Sequence, residues 1–67
     1  MDTKTMTTAE LIIMRDALKE YAISMRTDPH TQRVKSEADY LKNASSHSRA
    51  TYFSALAMAA EAAARIR

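Results

Sequence analysis

Residues 7–25, TTAELIIMRDALKEYAISM, decide the architecture of this chain. Within them Leu11, Met14, Leu18, Tyr21 and Met25 recur at alternating intervals of three and four, the spacing that lines side chains along one face of an α-helix. Ala17 and Ala22 border that stripe. The opening Thr7-Thr8-Ala9-Glu10 fits a capping box: the threonine hydroxyl accepts an orphan amide of the first turn, and the glutamate three residues on reaches back to the cap amide. The pattern predicts a helix that starts just after Thr7 and buries its Leu11–Met25 side.

Working outward, Asp28-Pro29 stops the pattern. Proline disfavours helical geometry in the residue before it yet suits the first position of a helix, where Asp28 can cap, so a second helix is expected from Pro29 after a short turn at Thr27-Asp28. A link this brief makes the two helices antiparallel neighbours. Beyond Pro29, Val34, Ala38, Leu41, Ser45, Tyr52, Leu56, Ala59, Ala63 and Ile66 share one helical face. Asn43-Ala44-Ser45-Ser46-His47-Ser48 interrupts them with poor helix formers, and there Asn43 can close one helix while Ser46 or Ser48 caps the next. Two arrangements remain open. Either three helical segments form a small antiparallel all-α bundle, or the second and third join as one long kinked helix whose apolar face outruns the first and needs a partner.

Composition agrees with helix throughout. The 67 residues hold no glycine, cysteine or tryptophan and one proline, Pro29. The stretch Arg49–Arg67 is alanine-rich enough to let a neighbouring helix approach closely, and alanine's helix propensity alone also accounts for it. Residues 1–6 are polar and aperiodic, which predicts a disordered tail before a single helical domain over 7–67, with Met1 and Met6 both plausible starts. A domain near 60 residues buries only about 60% of the surface of its unfolded chain, and small folds usually add disulfides, metal or self-association. Without cysteine, self-association is the expected remedy. No stretch is apolar enough for a membrane span, and the start has no basic segment followed by a hydrophobic one, so the expectation is a cytoplasmic chain that does not engage membranes.

Chemistry-bearing motifs are missing. His30 and His47 are the only histidines and lie in no metal-binding spacing, so no metal site is expected. Ser46 and Ser48 flank His47 without an orienting acid, and helix capping explains them better than nucleophilic catalysis. The absence of glycine removes the usual phosphate-cradling loop. The sequence therefore predicts no enzyme, no catalytic residue, no cofactor and no small-molecule substrate.

What remains is surface. With the Leu11–Met25 stripe inward, Ile12 and Ile23 lie round the helix beside Asp16 and Lys19, and Ile13 lies farther round near Glu20. Single exposed apolar residues are ordinary; three isoleucines on one short helix suggest an interface or a wide core-facing arc. Met58 falls on the polar side of the last helix, where it can serve as an adaptable contact. Tyr40 offers a large rigid face with a polar tip, whereas Tyr52, on the stripe, reads as core. Ile12, Ile13, Ile23, Tyr40 and Met58 are thus the candidate contacts of a small interaction module. It would pair with itself as a homodimer or higher oligomer and act as an adaptor, inhibitor or antagonist by covering part of a regulatory protein. Size alone suggests a bacterial or phage small protein.

Nucleic acid is the alternative partner. Arg26, Arg33, Lys35, Lys42 and Arg49 make the middle of the chain its most basic part. The overall balance of ten basic and eight acidic side chains is nonetheless well mixed, and the basic residues scatter around the helix instead of gathering on one face.

Overall fold

A computed structural model describes residues 3–66 as a short 3-10 turn, Thr3–Thr5, followed by α1 (Thr8–Arg26), α2 (Glu37–Asn43) and α3 (Ser46–Arg65). The fold is a small all-α bundle in which α1 and α3 make the main packing layer. Residues 1, 2 and 67 lie outside the described residues, so the expected tail over 1–6 is seen only in part; Thr3–Thr5 make their turn against α3.

The capping box forms as the sequence spells it. The Thr7 amide donates to Glu10 Oε1 at 2.8 Å and the Glu10 amide donates to Thr7 Oγ1 at 3.2 Å. At the other end, Thr27 is extended, with its hydroxyl donating to the Ile23 carbonyl at 2.8 Å, and α1 stops.

The expected helix from Pro29 does not form. Asp28 does cap, accepting the amides of His30 and Thr31 on Oδ1 at 2.8 and 3.1 Å, but only a single turn follows. Gln32 then takes a positive φ of 59°, and the chain folds back so that Thr27 and Val34 form an antiparallel bridge, closed by Lys35 N–H to Arg26 O at 2.8 Å. The reason lies in what a helix there would bury. Between His30 and Ser36 the only apolar side chain is Val34, and a short helix without an apolar face gains too little from packing to offset nucleation. The local capping chemistry thus follows the sequence, whereas its propagation into a helix does not.

The alternative of one long kinked helix is likewise excluded. Ala44 and Ser45 are both extended, and they separate α2 from α3. The cap of α3 is Ser45, whose Oγ accepts the Ser48 amide at 3.1 Å, one residue before the earlier of the two expected caps, Ser46 and Ser48. Ser36 caps α2 in the same way through the Asp39 amide.

Tyr52, early in α3, lies beside Arg26 at the end of α1, so the two long helices run antiparallel. Their seam is built mainly from small side chains, Ala22 from α1 and Ala55, Ala59 and Ala62 from α3, with Leu11 and Tyr52 as its larger members, all buried. On α1 this rotates the inward face relative to the sequence reading. Ala22 takes the buried position, whereas Tyr21, expected inside, is exposed, and Met14, Leu18 and Met25 are half-buried. On α3, Tyr52 and Ala59 are buried as expected, Leu56 is half-buried and Ala63 is exposed.

Two substitutions examine this description. Ala59→Leu forces a larger side chain into the seam and is expected to lower stability by about 1–3 kcal/mol in urea unfolding; an unchanged midpoint would mean that α1 and α3 do not meet there. Gln32→Gly removes the steric cost of the left-handed conformation and should raise stability by about 0.5 kcal/mol, seen as a higher urea midpoint at constant slope.

Candidate functional site

An open groove runs between α1 and α3. It encloses about 770 Å³ and is lined chiefly by Ile13, Met14, Ala17, Leu18, Tyr21 and Met58. Met6 and Ala55 complete its apolar wall, and Glu10 and Thr51 are the polar residues at its edge. Helical geometry explains the alignment. Residues 10, 14, 17 and 21 repeat at four, three and four, so they form one strip along α1 that lies beside the buried line of Leu11 and Ala22. The strip stays open because the facing helix carries alanine. A methyl group closes the seam at close approach but does not reach sideways over Met14 or Tyr21.

The five expected contact residues do not form one patch. Ile13, 69% exposed, and Met58, 42% exposed, line the groove together. Ile12 and Ile23 stand on the opposite flank of α1, about three turns apart and 37% and 46% exposed. Helical spacing places the exposed Phe53 of α3 on that flank too. Tyr40 turns towards the fold. It is half-buried, with its ring centroid 5.3 Å from that of Tyr52.

Tyr52 is the polar pivot of the structure. Its side chain is 1% exposed and its hydroxyl donates to Glu37 Oε2 at 2.8 Å, tying the start of α2 to α3. Phe53 meets its ring edge-on at 5.5 Å. Burial raises the Tyr52 phenol above its ordinary value, and the Glu37 carboxylate adds to this, because both oppose a negative phenolate; the Arg26 guanidinium acts the other way. At the surface, the amides of His30 and Thr31 hold the Asp28 carboxyl below its usual value, and the Thr7 amide does the same for Glu10.

The basic residues are divided as well. Arg26 Nε–H donates to the Lys35 carbonyl at 2.9 Å and Arg49 Nε–H to the Leu41 carbonyl at 3.0 Å, so both guanidinium groups pin the loop and α2 in place. Arg26 and Lys35 share a shallow pocket of about 240 Å³ with Asp28 and Asp39, which offset their charge. Arg33, Lys42 and Arg49 do not line it. Among the described residues no group of three or more His, Asp or Glu side chains is placed to share a metal ion, and no helix is long and apolar enough to cross a membrane.

The chain matches no family model, no curated protein and no solved structure. The groove was hidden from sequence reading because Met14, Leu18 and Tyr21 looked like core. The signal was present in the facing helix, whose alanines are too short to cover so wide a stripe. Phe53 carried no such signal, since it sits off the apolar face of α3.

The raised Tyr52 phenol fixes the sign of an alkaline effect. Below about pH 10 both states hold the neutral phenol and its contribution is complete; above that value the unfolded chain ionises first, and stability falls as pH climbs towards the folded-state value. Thermal melts of the wild type and Tyr52→Phe between neutral and strongly alkaline pH should therefore converge. The variant is expected to be about 1 kcal/mol less stable at neutral pH, from the lost hydrogen bond to Glu37. A gap that stayed constant with pH would contradict the assignment.

Proposed function

We propose that the chain is a small cytoplasmic interaction module that binds proteins through apolar helical surface, and that it acts as an adaptor, inhibitor or antagonist by covering part of a regulatory protein. One observation carries this reading. Large apolar side chains stand open on two opposite flanks of the α1–α3 layer, Ile13, Tyr21 and Met58 on one and Ile12, Ile23 and Phe53 on the other. One molecule's own fold leaves both flanks wet. Several large exposed apolar side chains on one small fold mark a protein contact more often than an idle face. Occlusion needs no reactive group: burial supplies about 25 cal/mol per Å², and what exceeds the cost of association appears as affinity.

Two flanks suit two contacts. A module that pairs through one keeps the other for its target, and a pair then presents the target surface twice. The Ile12–Ile23 flank is the better target surface because Asp16 and Lys19 lie on the same helical strip between the two isoleucines, charges that can set the orientation of a partner. Nucleic-acid binding has less behind it, since Arg26 and Arg49 are committed to carbonyl groups and Lys35 lies among carboxylates.

The test is affinity capture from the native cell with the wild type and with Ile12→Asp combined with Ile23→Asp. Both positions are already exposed, so helicity by circular dichroism is expected to be retained while the captured protein is lost. Retention should change little with added salt. A double variant that unfolds would place the isoleucines in the core. A wild type that binds duplex DNA or structured RNA with steep salt dependence would replace the module reading with the nucleic-acid one.

A further inference from the structure

We infer that the α1–α3 groove is the seat of a second copy of this chain, which lays its own α1 antiparallel across α1 with Ala17 on the twofold axis. This rests on the reading of the chain as an interaction module and names the occupant of one of its two flanks. The surface area points to an occupant of that size. A folded chain of 7.5 kDa is expected to expose about 4,250 Å², and this one exposes 4941 Å². The excess over the whole chain, about 700 Å², is of the order of the roughly 800 Å² that each partner contributes to a stable protein interface. Shape agrees with area. The radius of gyration is 13.4 Å where about 11 Å is expected for 67 residues, and the extents of 38 × 23 × 15 Å describe a flat, elongated body.

The pattern on α1 fits its own reverse. A twofold contact is self-complementary, so a residue a given number of positions before the axis meets the residue the same number after it. About Ala17, Ile13 comes level with Tyr21 of the other copy, which joins two of the most exposed apolar side chains on this flank, twice per dimer. Glu10 comes level with Ser24, so no like charges are opposed. Ala17, exposed and without bulk beyond its methyl, lets the two helices cross closely at the axis, and Met14, Leu18 and Met58 flank the crossing as adaptable apolar fill. Antiparallel crossing also sets the two helix dipoles against each other favourably.

The absence of cysteine makes the test direct. Sedimentation velocity of the wild type across micromolar to submillimolar concentration should show a monomer–dimer equilibrium. Ala17→Glu, on a position exposed in the single chain, should retain the circular dichroism spectrum and weaken dimerisation by about a hundredfold or more, because two carboxylates meet on the axis. Ala17→Cys should form a disulfide-linked dimer under mild oxidation much faster than Ala57→Cys, an exposed position on the outer side of α3. A wild type that stays monomeric throughout overturns the inference. So does Ala17→Cys linking no faster than Ala57→Cys, or a dimer that Ala17→Glu leaves intact. None of these outcomes touches capture of a partner by the Ile12–Ile23 flank, so the two readings fail separately.

Discussion

The close approach of α1 and α3 over alanine is the constraint from which the rest of this structure follows. Ala22 from one helix and Ala55, Ala59 and Ala62 from the other are all buried, and with Leu11 and Tyr52 they make up the buried apolar core. Small side chains bring two helix axes together at the short end of the usual interaxial range and gain dense backbone contact in return. They also make the core narrow. A methyl group shields what is directly opposite and nothing to the side, so Met14, Leu18 and Tyr21 on one flank and Ile12 and Ile23 on the other keep part of their surface in water. A leucine-rich α3 would have covered more of this surface and left a thicker, self-sufficient bundle. The exposed flanks are therefore a consequence of the seam and not a separate feature added to it.

A narrow apolar seam does not by itself hold a third element, and α2 shows how the chain manages this. It has seven residues, none buried, and is fastened by directed bonds: the Tyr52 hydroxyl to Glu37, the Arg49 guanidinium to the Leu41 carbonyl, and the tilted stacking of Tyr40 on Tyr52. Arg26 holds the preceding loop through the Lys35 carbonyl. Because each net hydrogen bond contributes only about 1 kcal/mol, such a clasp fixes position more than it adds stability. It also draws two of the most central cations into structural duty. A basic middle segment that looks available in sequence is partly spoken for once the chain folds.

The parts of the fold legible in sequence are those set by neighbours in the chain. Thr7 and Glu10 form their box because both partners lie within one turn, and the stop after Arg26 follows from the Asp28-Pro29 pair. What was not legible depends on tertiary burial. Asp28 and Pro29 give the same local signal whether one turn or five follow, and only the scarcity of apolar residues between His30 and Ser36, where Val34 stands alone, decides for a loop. The inward face of α1 was misjudged for a related reason. Periodicity shows that Leu11, Met14, Leu18 and Tyr21 share a stripe, but its centre is set by the helix opposite, and an alanine seam selects Ala22 over Tyr21. The same shift separates the expected contact residues, since Ile13 and Met58 fall in the groove while Ile12 and Ile23 fall behind it.

The two flanks differ in a way that bears on their use. The groove is concave, and its lining combines flexible methionines with Ile13 and Tyr21, a surface able to repack around an incoming helix. The opposite flank carries β-branched isoleucines whose rotamers are already restricted by the helix, so little side-chain entropy is lost when they are covered. Concave and adaptable surface suits a long-lived contact that must fill every gap, as a permanent second layer does. Preorganised surface suits a contact that forms and breaks, because its affinity draws on few ordering costs. Both kinds of surface follow from one thin layer, whose alanine seam leaves a groove on one side and exposed isoleucines on the other.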